Sequence, residues 1–140
     1  MTNYVAGFLI DREARQIALI RKNRPEWQAG QLNGIGGHIE PGEFPREAMR
    51  REFMEETGFD SSLWEHFADV SGEWGCVLFY RLDCNQRLNV CLRSLTDEQV
   101  EIYDFAKIPW DECILNLSWL IPLALYNHDQ YLPMHAVERA

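Results

Sequence analysis

The stretch GHIEPGEFPREAMRREFMEETGF, running from Gly37 to Phe59, decides how the rest of the chain is read. Pro41-Gly42 marks a turn. From Phe44 to Thr57 the spacing predicts the best helix in the sequence. Pro45 suits a first turn, where its missing N–H has no helical partner to lose. Gly58 suits the position just past the end. Within that helix Glu52, Glu55 and Glu56 stand at i, i+3 and i+4, so they share one face. Like charges so placed repel by a few tenths of a kcal/mol per pair (about 0.2–0.5) when exposed. Two readings follow: a solvated acidic face, or a site that gathers hard divalent cations through carboxylate oxygen.

Outward on the N-terminal side, four glycines fall within eight residues: Gly30, Gly34, Gly36 and Gly37. Before them, Lys22 to Leu32 reads as a loop whose one large apolar side chain is Trp27. Val5 to Ile10 and Gln16 to Arg21, separated by the polar turn Asp11 to Arg15, read as a hairpin. Beyond the helix, strands are predicted around Leu63–Val70, Cys76–Leu82 and Val100–Phe105. Asp83 to Asp97 reads as a long connection with a strand at Asn89–Leu92. A last helix starts near Ser118 and ends before Asp129, with Pro122 in about its first turn. The segment Gln130 to Ala140 gives no clear signal. The expected class is α/β or α+β, a mixed β-sheet in one domain over residues 1–140.

The chain has 140 residues, about one domain's worth, with 46% hydrophobic and 25% charged residues, which is ordinary globular usage. No apolar run nears the ~18 residues of a membrane span, and no basic residue precedes Arg12 as a leader would require. A soluble cytoplasmic protein is therefore the expectation, with no membrane. Thirteen basic and 22 acidic residues give a net charge of −9, which argues against stable binding of nucleic-acid backbone. A polyanionic substrate would need its charge met by something else, a divalent cation being the obvious means. Cys76, Cys84, Cys91 and Cys113 have no zinc-like spacing and read as reduced thiols.

Gly37, Glu43, Arg51, Glu52, Phe53, Glu55, Glu56, Gly58 and Phe59 match G-x5-E-x7-R-E-U-x-E-E-x-G-U, with U apolar, at every defined position. This resembles the Nudix box. Seven fixed residues would coincide by chance on the order of 10⁻⁸ per start position. The flanking order of strands and the final helix also looks like that family. The resemblance implies a Nudix-type α/β/α sandwich with the sheet between helices. It implies Mg²⁺- or Mn²⁺-dependent hydrolysis of a nucleoside diphosphate linked to another group, with water as nucleophile. By position, Glu52, Glu55, Glu56 and the Gly37 carbonyl would hold metal, and Glu43 and Arg51 would brace the site. Such enzymes often recruit another carboxylate from a loop before a late strand. Glu98 matches that place as ligand or base, ahead of Asp97 and Glu101. Either Glu52 or the loop Glu would take the proton.

Among subfamilies, the marks of ADP-ribose, coenzyme A and dinucleoside-polyphosphate enzymes are missing. Leu32-Asn33-Gly34-Ile35-Gly36-Gly37 and Ile108 to Trp119 look like the MutT-type nucleoside triphosphate pyrophosphohydrolases, including those acting on oxidised purine dNTPs. Asn33 would read a base through the donor and acceptor edges of its amide, or hold its own turn. Asn116 would read a base or cap a helix. Arg21, Lys22 and Arg24 could balance phosphate charge or be solvated loop charges. Trp27 could stack on a base or plug the core. His38 is given no role. The expected partner is a small-molecule nucleotide, and a homodimer stays open. A nucleotide-sugar hydrolase and a non-catalytic nucleotide-sensing module are the alternatives.

Overall fold

The computed structural model describes residues 2–126 and 133–139. The chain begins with β1 (Thr2–Asp11), which turns back through Asp11–Arg15 into β2 (Gln16–Arg21). Short strands β3 (Leu32–Asn33) and β4 (Ile35–His38) carry the glycine run. Helix α1 (Pro45–Thr57) follows, then β5 (Glu65–Gly72) and β6 (Gly75–Asp83). A one-turn helix α2 (Leu88–Cys91), β7 (Gln99–Asp104), α3 (Leu117–Leu125) and β8 (Met134–Val137) complete the described elements.

All the strands join one sheet, in the order β3-β2-β1-β6-β5-β8, with β4 also pairing β1 and β7 pairing β2. The β1/β6 and β5/β8 pairs are parallel and the rest antiparallel, so the sheet is mixed as expected. β1 is apolar from Val5 to Ile10 because it is covered on both faces. Val5 and Leu9 pack with Ala48, Met49 and Phe53 of α1 and with Leu88 of α2. Ala6, Phe8 and Ile10 pack on the other side with Leu117, Leu120 and Ile121 of α3. The α/β/α layering is thus borne out. Each fully buried side chain of the size of Phe53 or Leu120 contributes roughly 1.5–3 kcal/mol by leaving water.

Helix α1 has the predicted ends. Pro45 is its first residue, Glu47 accepts a hydrogen bond from the Phe44 N–H, and Gly58 closes it at φ +81°. That left-handed angle is open to glycine without a side-chain clash.

Two local expectations are corrected. The strand predicted at Asn89–Leu92 is helix α2, whose Leu88 is fully buried; so short an apolar stretch has no period to tell the two apart. Pro122 lies at the sixth residue of α3, just past the turn where it was expected. Trp27 is 70% exposed in a short 3₁₀ turn, Glu26–Gln28, and plugs no core. The predicted last helix ends at Leu125 among the described residues, and the rest of its expected span falls outside them. No helix among the described residues is long and apolar enough to cross a membrane, and the four cysteines are free thiols.

Candidate active site

The box residues meet where α1 crosses β4. Gly37 pairs with Val5 and Gly36 with Ala6 of β1. A Cβ on Gly36 would fall 1.8 Å from the Val5 carbonyl oxygen, and one on Gly37 would fall 2.5 Å from Glu52 Oε2. The glycines let helix and strand close on each other, and Glu52 lies directly over the Gly37 backbone.

Arg51 holds this junction. Its guanidinium donates to Glu43 Oε2 at 2.7 Å and Oε1 at 2.9 Å, to Glu52 Oε1 at 2.9 Å and to the His38 carbonyl at 3.0 Å. A weaker contact reaches Glu55 at 3.4 Å. One planar cation thereby ties the loop, the strand and three acidic side chains together. Hydrogen bonds from Arg51 hold the Glu43 carboxyl below its ordinary value. Glu55 is about half exposed.

Glu56 sits at the next turn. Burial raises its pKa, and the charges of Glu98 and Glu52 add to that, while a hydrogen bond from Thr96 and the charge of Lys22 oppose it. Glu52, Glu56 and Glu98 therefore share one electrostatic field although they come from a helix and a distant loop. Thr96 is the link: its hydroxyl donates to Glu56 Oε2 at 2.8 Å and accepts from the Glu98 N–H at 3.2 Å. The sequence reading missed Thr96, whose only signal is its place two residues before Glu98.

Glu98 is buried. Burial alone would raise its pKa, but the Asn23 N–H at 2.6 Å and Lys22 Nζ at 2.9 Å prevail and lower it. Lys22 is thus turned to Glu98. Arg24 pairs with exposed Asp97. Arg21 spends its guanidinium on Glu101, Glu112, Tyr103 and the Gly30 carbonyl. These contacts tie β2, β7 and the turn before α3 into one unit, and Glu101 is committed to that unit.

Asn33 uses both ends of its amide internally, donating to Gln28 Oε1 at 3.0 Å and accepting from the Gly34 N–H at 2.8 Å. Asn116, at the start of α3, makes no side-chain cap bond. Its Oδ1 is buried with no hydrogen-bond partner among the described residues. A buried unpaired acceptor costs about 1–3 kcal/mol. The segments carrying the two asparagines touch where the Ile114 N–H donates to the Leu32 carbonyl.

Among the described residues no three acidic, imidazole or thiol groups enclose an ion as they stand. Glu52 is turned to Arg51, Glu56 to Thr96 and Glu98 to Lys22. The donors are nonetheless all hard oxygen, the ligand chemistry of a divalent cation, and Glu56, whose pKa burial raises first, also lies in the field of the Glu98 and Glu52 carboxylates. The residues therefore fit such an ion.

A family model described as NUDIX domain matches residues 1–118. A Bacillus subtilis (strain 168) protein named for 8-oxo-dGTP diphosphatase activity is 39% identical over 59 residues, 41% of this chain and 36% of its own length. CTP pyrophosphohydrolase of Escherichia coli (strain K12) is 35% identical over 72 residues, 49% of this chain and 53% of its own length. The matches thus span about a third to a half of those relatives. A structure from work on MutT of Aliivibrio salmonicida and Vibrio cholerae superposes with a TM-score of 0.71 at 16% identity, covering 91% of this chain and 98% of that one. At that identity the likeness shows the fold.

Proposed function

The chain belongs to the NUDIX family, and from that premise we propose that it is a pyrophosphohydrolase cleaving an NTP or dNTP, oxidised purine forms included, to a nucleoside monophosphate and pyrophosphate. The observation that carries the reading is the seating of Glu52 over Gly37, fixed by Arg51 and flanked by the charge-coupled Glu56 and Glu98.

Glu52, Glu55, Glu56 and the Gly37 carbonyl would hold Mg²⁺ or Mn²⁺, with Glu98 as a further donor. Such an ion, when bound, neutralises diphosphate charge and makes water a stronger acid. Arg51, itself held by Glu43, positions Glu52. Glu52 or Glu98 accepts the proton from the attacking water. The water's oxygen bonds to phosphorus while the P–O bond to the leaving phosphate group breaks, so the electron pair leaves on that oxygen. Lys22, held at Glu98, supplies positive charge on the same side.

Nucleotide names attached to the two curated relatives support a nucleotide substrate. Asn116 is the stronger of the two base-reading positions, because its buried acceptor is unspent whereas the Asn33 amide is already bonded. Trp27, exposed on the loop beside Gln28, is available for stacking.

The test is a panel of NTPs, dNTPs, 8-oxo-dGTP, ADP-ribose and nucleotide sugars, read by product identity with Mg²⁺ and after EDTA. Monophosphate plus pyrophosphate, lost in EDTA and restored by Mg²⁺, is expected. Turnover in exhaustively chelated protein, or turnover of nucleotide sugars alone, would overturn the reading.

A further inference from the structure

Glu56 is gripped twice by one loop. The Leu95 N–H donates to the Glu56 carbonyl at 3.0 Å, and the Arg93 N–H donates to the Thr57 carbonyl at 3.1 Å. Both carbonyls lie in the last turn of α1, where the helix has no N–H left to offer them. One residue on, the Thr96 hydroxyl donates to Oε2 of the Glu56 carboxylate at 2.8 Å. The backbone and the side chain of the same glutamate are therefore fixed by adjacent residues of the 93–98 segment.

The hydroxyl is itself held. Its oxygen accepts from the Glu98 N–H at 3.2 Å. A hydroxyl has one proton and an ionised carboxylate can only accept, so that proton is turned to Glu56. Threonine is β-branched and stiff at χ1, which helps keep it there. Glu98 in turn is buried and pinned by the Asn23 N–H and Lys22 Nζ, and the Asn23 side chain donates to the Asp97 carbonyl at 2.7 Å. The segment is thus bolted at one end to α1 and at the other to the 22–24 loop. Thr96 is exposed and fills no core. Among the described residues its bond is the one hydrogen bond made by the Glu56 carboxylate. A carboxylate has about four lone-pair sites, so Glu56 is oriented and still open to a cation.

We infer that Thr96 is a positioning residue of the hydrolysis: its hydroxyl sets the Glu56 carboxylate in the orientation in which it takes a divalent cation. The inference rests on the reading of Glu56 as a metal donor given above. A free glutamate side chain has several rotamers to lose on ligating an ion, and the Thr96 bond removes that freedom beforehand. Outer hydrogen bonds to a ligating carboxylate act in this way, and their loss typically costs roughly 10- to 100-fold in metal affinity. The Thr96 bond is open to water, which can partly replace it, so the effect belongs at the lower end of that range.

The test compares the parent protein with Thr96→Val, which keeps the shape and removes the donor, and with Thr96→Ser, which keeps the donor. Mn²⁺ alone is titrated in without nucleotide, and free Mn²⁺ is read by electron paramagnetic resonance. The Mg²⁺ concentration for half-maximal turnover, and KM at saturating Mg²⁺, are measured with the preferred nucleotide of the panel above. Thr96→Val is expected to weaken Mn²⁺ binding and to raise the half-maximal Mg²⁺ by about tenfold each, with KM little changed. Thr96→Ser should stay within about twofold of the parent in both constants. Mn²⁺ binding or a Mg²⁺ requirement equal to the parent's in Thr96→Val, or a Thr96→Ser that falls as far as Thr96→Val, would overturn the inference and leave the hydrolase reading standing. A parent that binds no Mn²⁺ and turns over in EDTA would overturn both. Should Thr96→Val fail to fold, Thr96→Ala decides by the same constants, since the side chain is exposed.

Discussion

The Glu43 carboxylate and the Arg51 guanidinium face each other through two parallel hydrogen bonds, 2.7 and 2.9 Å long, across a separation of eight residues. The fork geometry leaves the rest of the guanidinium aimed at Glu52 and the His38 carbonyl.

Lysine is one point charge and cannot span those partners. Arg51→Lys is expected to lower kcat by about 10- to 100-fold, as loss of an orienting contact does, with little change in KM. Steady-state kinetics decide it, and an undiminished kcat would remove Arg51 from the positioning role.

For Glu56 the sign of the stability effect opposes that of activity. Its pKa is raised in the folded chain, so its stabilising contribution is full below the unfolded value of ~4.3 and is lost as pH rises through the folded value. Ionised Glu56 therefore weakens the metal-free protein at pH 7 to 8. Glu56→Gln should melt no lower than the parent in EDTA at pH 7.5, the advantage shrinking toward pH 5, while turnover with Mg²⁺ falls at least ~100-fold. A lowered melting temperature or a retained rate would contradict this.

The two asparagines should separate by readout. Asn116→Ala should reduce kcat/KM for the preferred nucleotide roughly 2- to 13-fold per lost hydrogen bond and compress its preference over a poor nucleotide. Asn33→Ala should lower all nucleotides together and drop the melting temperature, because its amide braces Gln28 and the Gly34 turn. A preference ratio that moves only with Asn33 would reverse the assignment.

Asp11 gives a pH test outside the site. It is buried, and the Ala14 N–H, followed by Arg87, holds its pKa down against burial. A depressed carboxyl contributes stability above its unfolded value of ~3.9 and loses it as pH falls through the folded value. Asp11→Asn should melt lower than the parent at pH 7 and converge with it near about pH 2. Parallel melting curves across that range would show that Asp11 carries no such contribution.

The helix from Pro45, its glycine stop and the hairpin before it were legible because punctuation and periodicity are local. So was the spacing of Gly37, Glu43, Arg51, Glu52, Glu55 and Glu56. The obligations of Arg21 were not, since its partners Glu101 and Glu112 lie 80 and 91 residues away. Thr96 gave no pattern of its own, and α2 was too short for a period to declare itself. The register shift of β5 between His66 and Ala68 depends on pairing with β6, which no single strand's sequence records.

Gly36 and Gly37 leave no space for a side chain between β1 and Glu52, and this spreads mutational tolerance unevenly. Substitution is thus resisted at Gly36 and Gly37 but not at the surface side chains Trp27, Trp110 and Leu115, which are exposed. The same holds in the laboratory. Libraries randomised over 36–37 are expected to consist mostly of chains that cannot close their sheet, whereas changes at Trp27, Trp110 and Leu115 leave the sheet untouched.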